Sequence, residues 1–386
     1  MHAQDGSPPP VPEPARIWLL LGDKPGDNAQ VLALAGALGE PFLVKRLIPR
    51  PEWVLGKPRF RPSLDHLDPA RSDPLEPPWP ELVLTIGRRP SMAALWLAEQ
   101  SRGRTRLVIV GRPKRWPERF ALIVAPAQFA VPEAANVLRL DLPLLRPDAA
   151  RLAAAAERWR DRLDAWPRPL TAVLVGGETK PYRLDAGVAR ALAVELAALR
   201  ARDGGTLWVT TSRRTGPAVT EALAEALPPG TPLYRWRAED PPEANPYPAL
   251  LATADRFVVT GDSVSMLVEV ARLGRPLAIA PLPLRGDPLG RLRRALGRAL
   301  GPSGRLAGAG EALRRAGLLG FARDLEAIHA RLIAAGRAVR LGEPFPEVGS
   351  LPADELAIAA ARLRALLDPS ATRGAPTATI GSPPPG

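Results

Sequence analysis

The chain has 386 residues, 52 Lys+Arg against 40 Asp+Glu, a formal charge of +12, 47 Pro, 33 Gly, 9 Trp and no Cys, which suggests two domains with a full core in each. The lack of Cys excludes a disulfide framework, a thiolate metal site and a Cys nucleophile, and His2, His66 and His329 are too far apart in sequence to suggest a metal cluster. No apolar run approaches the roughly 20 residues that cross a bilayer, and no basic stretch followed by a long apolar one marks a secretion signal, so a soluble, cytoplasmic protein is expected.

Residues 1–15 are Pro-rich and polar and read as a disordered tail, as do residues 370–386. Between them short apolar runs alternate with helical patterns. Ile17–Leu21, Leu82–Ile86, Leu107–Val110 and Leu122–Val124 read as strands, and Ala29–Leu38 and Ser91–Gln100 as helices. Residues 50–80 are crowded with Pro and read as a loop or a poorly ordered insertion. The strand candidates are continuously apolar rather than alternating, the pattern of a parallel sheet covered on both faces. Pro147–Trp166 has helical spacing and ends at Pro167 and Pro169, which places a domain boundary after residue 166. A second series follows: strand Ala172–Val175, helix Asp185–Arg202, strand Thr206–Thr210, helix Pro217–Leu227, strand Phe257–Thr260, helix Val264–Leu273 and strand Leu277–Ala280. The expected fold is α/β, with two Rossmann-like doubly wound domains facing across a cleft, residues 16–166 and 167–345. A C-terminal helical segment, 346–369, completes it. Ligands bind such sheets at the carboxyl ends of the strands, so the loops there carry the candidate chemistry.

The strongest signal is Thr260-Gly261-Asp262-Ser263-Val264-Ser265, leading into Glu269. Gly261 allows a tight turn and Ser263 is a good N-cap. The first-turn N–H groups suit a phosphate. Ser265, Glu269 and Arg272 share one helix face, opposite Val264, Leu267, Val268 and Ala271. A carboxylate behind a phosphate-binding helix end can accept hydrogen bonds from a ribose diol. The bland alternative makes Ser263 only a cap and Glu269 only a partner of Arg272. Gly176-Gly177-Glu178-Thr179-Lys180 follows the first strand of the second domain. Its glycines admit close backbone approach, and Thr179 and Lys180 add a hydroxyl and a cation. An ordinary tight turn is the alternative, since the P-loop pattern is absent. Ser212-Arg213-Arg214 follows the next strand, where paired Arg can grip phosphates or lie in a solvated loop.

In the first domain Gly22-Asp23-Lys24-Pro25-Gly26-Asp27-Asn28-Ala29-Gln30 follows the first strand. Asp23, Asp27, Asn28 and Gln30 can bind a hydroxyl-rich substrate, and either Asp can serve as a base; Asn28 can equally be a helix cap. Gly87-Arg88-Arg89 opens a second strand-to-helix turn of this kind. The dinucleotide fingerprint is missing, so no cofactor is expected. From Arg285 to Arg315, Arg291, Arg293, Arg294, Arg298, Arg305, Arg314 and Arg315 alternate with Leu and Ala. Such a stretch can rest on an anionic membrane surface or form a solvated helix face. Only five of the 52 cations are Lys, so the charge also reflects genome composition. Without a reader motif or a dense basic helix interleaved with aromatics, nucleic acid is not an expected partner.

Taken together, GGETKPYRL, TTSRRTGP and NPYPALLATADRFVVTGDSVSMLVEVARLGRP resemble the elongated-mitochondria (ELM, mitochondrial fission) family, and LLLGDKPGDNAQVLALAGALG fits its first loop. The resemblance covers roughly residues 16–285. That family is in turn similar to GT-B glycosyltransferases such as lipid-A-disaccharide synthase and the peptidoglycan N-acetylglucosaminyltransferase. What the resemblance implies is a GT-B-like glycosyltransferase that moves a sugar from a nucleoside-diphosphate donor to a lipid or surface-polysaccharide acceptor. Glu269 would bind the donor ribose. Ser263, Ser265, Gly176 and Gly177 would lie at the diphosphate, Ser212 and Arg213 would line the same pocket, and Lys180 would add charge. Asp27 or Asp23 would be the base, with Asn28, Gln30 and Arg88 on the acceptor side. Cytoplasmic location, peripheral on the inner membrane face, fits this reading. There are departures: many relatives place a His in the first loop and this chain has Asp27 near that point, Gly261 stands eight before Glu269 where a second Glu would be, and no D-x-D motif implies a metal. The alternative reading is a non-catalytic GT-B scaffold or adaptor, as in the eukaryotic relatives known for recruiting a dynamin-related protein. A nucleotide-sugar epimerase is a third reading, opposed by the missing fingerprint and the missing Tyr-x-x-x-Lys.

Overall fold

A computed structural model describes residues 15–54, 56, 58–286, 292, 295–297, 299–301, 304–315, 319, 323–347 and 354–368. The expected tails 1–15 and 370–386 lie outside these, apart from Ala15. The described chain forms two compact units. One comprises residues up to 124 with 134–138 and those from 354 on, and the other 125–133 with 139–353.

In the first unit, strands β1 (Ile17–Leu21), β3 (Leu82–Ile86), β4 (Arg106–Val110) and β5 (Leu122–Pro126) are the apolar runs of the sequence, and β1 and β3 are buried along their whole length. The sheet order is β2-β1-β3-β4-β5-β6, with β1 to β5 parallel. Edge strands β2 (Leu43–Arg46) and β6 (Val137–Leu140) carry charge and are only partly buried. Helix α1 spans Pro25–Leu38 and starts four residues before the expected Ala29, because Pro25 supplies a preset φ at the first helical position. Helix α3 spans Arg88–Gln100.

The Pro-rich segment 50–80 contains a short helix α2 (Pro51–Val54) and is tied down rather than loose. Ser72 Oγ accepts the Ile48 N–H (2.9 Å), and the Asp73 carboxylate accepts the Arg46 N–H (2.6 Å). This excursion places His66 in the interior, 1% exposed. The C-terminal helix α11 (Glu355–Leu367) packs on α1, and Arg364 donates to the Ala37 carbonyl (2.7 Å) and the Leu38 carbonyl (3.2 Å) at the end of α1. A cation there complements the negative end of the helix dipole.

The second unit has sheet order β12-β11-β10-β7-β8-β9. Its strands are β7 (Leu170–Leu174), β8 (Thr206–Thr210), β9 (Leu233–Tyr234), β10 (Arg256–Thr260), β11 (Leu277–Ala280) and β12 (Val339–Arg340), paired in parallel. Around them lie α4 (Ala149–Asp164), α5 (Ala186–Asp203), α6 (Pro217–Ala226), α7 (Tyr247–Thr253), α8 (Val264–Arg272), α9 (Ala307–Arg315) and α10 (Glu326–Ala334). Helix α4, read from sequence as the end of the first domain, packs in this unit. Its buried face of Leu152, Ala155, Trp159 and Leu163 meets α7, and Trp159 sits edge-on to Trp208 at 6.2 Å. Both units are doubly wound α/β layers of the Rossmann kind, as the sequence implies. In each the strand order reverses beside its first strand, which opens a crevice at the carboxyl ends of β1/β3 and of β7/β10.

Candidate functional site

The β7/β10 crevice gathers three of the loops singled out in the sequence. Gly176 and Gly177 follow β7, Ser212 to Thr215 follow β8, and Gly261 to Ser263 follow β10. Hydrogen bonds lock them together. Gly176 N–H donates to Thr260 Oγ1 (2.8 Å) and Gly177 N–H to Asp262 Oδ2 (2.9 Å). Thr260 Oγ1 donates to Asp262 Oδ1 (2.7 Å). From the other side Ser212 Oγ donates to the Gly176 carbonyl (3.0 Å), which the Thr215 hydroxyl also meets in a short contact. Glycine is required at both positions: a Cβ on Gly176 would overlap the Asp262 carboxylate, and one on Gly177 the Arg214 backbone.

Asp262 organises this arrangement, and nothing in its local sequence sets it apart from an ordinary turn residue. Its side chain has no exposure and faces Arg214 Nη2 at 3.2 Å. Burial pushes its carboxyl above the usual range, while Gly177, Thr260 and Arg214 pull it back. Arg214 also donates a short bond to Thr179 Oγ1. It is Arg214, rather than the expected Arg213, that is engaged in the loops; Arg213 and Lys180 are exposed beside them.

Helix α8 begins here. Ser263 is 4% exposed and does not act as the side-chain cap that the sequence suggests; at φ −102°, ψ 76° it makes no cap hydrogen bond. The N–H groups of the first turn are thus left without that side-chain acceptor, which suits an anion. Ser265 is exposed in that turn. Val264, Leu267, Val268 and Ala271 form the buried face, as expected. Glu269 is not paired with Arg272, which donates to the Pro143 carbonyl (3.0 Å). Instead Glu269 Oε2 accepts a short hydrogen bond from the Tyr247 hydroxyl. Burial raises the Glu269 carboxyl, opposed by Tyr247 and by the charge of Arg151. Behind the loops, His329 Nε2 meets the Gly261 carbonyl (2.8 Å) and its ring stacks on Tyr182. Burial lowers the His329 pKa, which favours a neutral ring donating from Nε2.

The β1/β3 crevice of the first unit gathers the other candidates. Asp23 is committed to Arg89, both carboxylate oxygens at 2.8 Å from Nη2. Asn28 closes its own loop, accepting the Gly22 N–H (3.1 Å) and donating to the Gly22 carbonyl (2.8 Å). Asp27, half-buried in the first turn of α1, lies near Gly87 at the start of α3. Gln30 is on the buried face of α1 and points to packing rather than to an acceptor. Arg88 stacks on Phe60 (5.6 Å) and donates to the Pro58 carbonyl; burial lowers its pKa, with Arg115 adding to the effect. His66 comes from the 50–80 excursion, and its Nε2 meets the Arg89 carbonyl (3.0 Å). A histidine is therefore one contact from the Arg89–Asp23 pair, although the first loop contains none.

Of the basic stretch, Arg291, Arg293, Arg294 and Arg298 lie outside the described residues. Arg285 pairs with Glu178, Arg305 is exposed, and Arg314 is buried against the Leu300 carbonyl (2.9 Å). Leu292, Leu296 and Leu306 are exposed nearby. No helix among the described residues is long and apolar enough to cross a membrane.

Comparison with known proteins places the chain. Over 132 residues it is 34% identical to the mitochondrial fission protein ELM1 of Arabidopsis thaliana, a match covering 34% of this chain and 30% of that protein. Among solved structures it is similar to the UDP-GlcNAc 2-epimerase of Neisseria meningitidis bound to UDP-GlcNAc (12% identity, 91% of this chain and 99% of that chain, TM-score 0.42). It is also similar to the glycotransferase of kitacinnamycin (14% identity, 93% and 92%, TM-score 0.43). The sequence profile described as Mitochondrial fission ELM1 matches residues 25–301, and the chain belongs to that family.

Proposed function

We propose that the second unit binds the nucleoside-diphosphate part of a sugar nucleotide in the β7/β10 crevice, and that the protein transfers the sugar to an acceptor hydroxyl on a lipid or surface polysaccharide. The observation that carries this reading is the convergence of Gly176, Gly177, Ser212 and Asp262 beside a helix end that Ser263 leaves uncapped, with Glu269 on the same helix. The glycines allow a diphosphate to approach backbone closely. The α8 N–H groups, Lys180, Arg213 and Arg214 offset its charge, which grows as the leaving group departs. Ser265 adds a hydroxyl in the first turn, and Glu269 accepts from the ribose. In the first unit Asp27 is the candidate base; Asp23 is a weaker one, because its lone pairs already serve Arg89. An acceptor in a membrane accords with the basic, Leu-bearing segment, which would rest on an anionic bilayer.

A second reading, a GT-B scaffold that binds partners without turnover, is favoured by one observation: the first loop is closed on itself by Asn28 and by the Asp23–Arg89 pair. A thermal-shift panel of UDP, GDP, CMP, dTDP and their sugars tests the site. Ligand at about 100 times its dissociation constant adds roughly 2.7 kcal/mol of stability. One responding nucleotide class, followed by acceptor-dependent release of the nucleoside diphosphate that Asp27→Asn abolishes, supports transfer. A responding class with no release under any acceptor supports the scaffold, and no response removes the donor site.

A further inference from the structure

The residue that holds Glu269 belongs to a different element. Helix α7 begins at Tyr247, between Pro246 and Pro248, and Asn245 Oδ1 accepts the Tyr247 N–H (3.0 Å) to fix that start. The Tyr247 ring is half-buried against the core of the second unit, and its hydroxyl reaches across to Glu269 Oε2. Among the described residues Glu269 Oε1 accepts no hydrogen bond, so one oxygen of the carboxylate is committed and the other is left for a ligand. Three things follow from elementary chemistry. A phenol donating to one oxygen fixes the plane of the carboxyl group, which otherwise rotates freely about its last torsion. It also favours the ionised form against the pull of burial. And an ionised carboxylate accepts only, so it rewards a ligand hydroxyl and gives nothing to a C–H in its place.

We propose that Tyr247 is a positioning residue that holds Glu269 as an oriented, ionised acceptor for the ribose diol, and that this pair selects ribonucleotides over their deoxy forms. The proposal rests on the nucleotide-binding reading above. A hydrogen bond to a charged acceptor sets the expected discrimination at about tenfold to a hundredfold.

Titration calorimetry with UDP and GDP, each with its 2′-deoxy and 3′-deoxy forms, and with inorganic pyrophosphate tests it on wild type, Tyr247→Phe and Glu269→Gln. Wild type is expected to bind the ribonucleotide of its preferred base at least tenfold more tightly than one of the deoxy forms. Tyr247→Phe is expected to bring that ratio within threefold by weakening the ribonucleotide alone, with pyrophosphate affinity unchanged. A phenol that merely packed would, on removal, weaken ribo form, deoxy form and pyrophosphate together. Glu269→Gln keeps an acceptor for Tyr247, and so guards against a folding defect; its ratio is expected to fall as well. An unchanged ratio in Tyr247→Phe, or equal affinity of wild type for ribo and deoxy forms, overturns the proposal and leaves the nucleotide site standing. No nucleotide binding by wild type overturns both.

Discussion

Asp262 and Glu269 lie seven residues apart, and burial raises the pKa of both, but they do different work. Asp262 faces inward and ties β10 to the Gly176–Gly177 turn, whereas Glu269 keeps an oxygen without a hydrogen-bond partner among the described residues. Asp262→Ala strips an acceptor from a buried N–H and a charge from Arg214, which should cost about 1–3 kcal/mol in urea denaturation. Asp262→Asn, which retains an acceptor, should cost less. Gly177→Ala forces a Cβ onto the Arg214 backbone and should cost about 1–3 kcal/mol, with loss of any nucleotide-induced shift. The sequence makes Gly176, Gly177, Ser212 and Glu269 visible, because glycines after a strand and a carboxylate on a helix face are local patterns. The same reading sees Asp262 and Arg214 only as members of their loops, not as a buried pair, and it misses Tyr247. Their roles arise from partners 85, 48 and 22 positions away, which only the sheet order brings into contact.

At the scale of elements, the apolar central strands were legible to within two residues. Edge strands β2, β6, β9 and β12 were not, because LVKR, VLRL, LY and VR lack a continuous apolar run. Helix α7 is missed for a similar reason: seven residues with an internal Pro248 show no helical period. That omission hid both Tyr247 and the surface on which α4 packs. Helix α4 links packing to the site, since its first turn carries Arg151, whose charge helps keep Glu269 ionised. Trp159→Ala removes a side chain that is 5% exposed and donates to the Glu243 carbonyl (3.2 Å). It should cost about 3–5 kcal/mol, read as a fall in the unfolding midpoint. At the far end of the chain, Arg364→Ala removes two donors from the last turn of α1 and should cost about 1 kcal/mol.

For the whole molecule, the two described histidines set a pH dependence. His66 and His329 are both buried, and burial lowers both pKa values from 6.5. The unfolded chain therefore takes up protons near pH 6.5 that the folded chain refuses. Stability from this source is present above that pH and is lost as pH falls through the lowered folded values. Asp262 and Glu269, with raised pKa values, act in the opposite sense: they favour the fold at low pH and lose that contribution as pH rises through their folded values. The testable quantity is thus a difference. Between pH 7.5 and 5.5 wild type should lose more stability than a His66→Gln, His329→Gln variant, by calorimetric midpoint. The net charge of +12 also predicts that any vesicle binding is confined to anionic lipid and falls with added salt, which co-sedimentation measures. The central claim concerns the β7/β10 crevice, and titration calorimetry with nucleoside diphosphates on wild type and Glu269→Ala tests it most directly. One nucleotide class should bind the wild type at one site per chain and lose at least tenfold in affinity in the variant. Equal binding by both proteins, or none by a folded wild type, would contradict it.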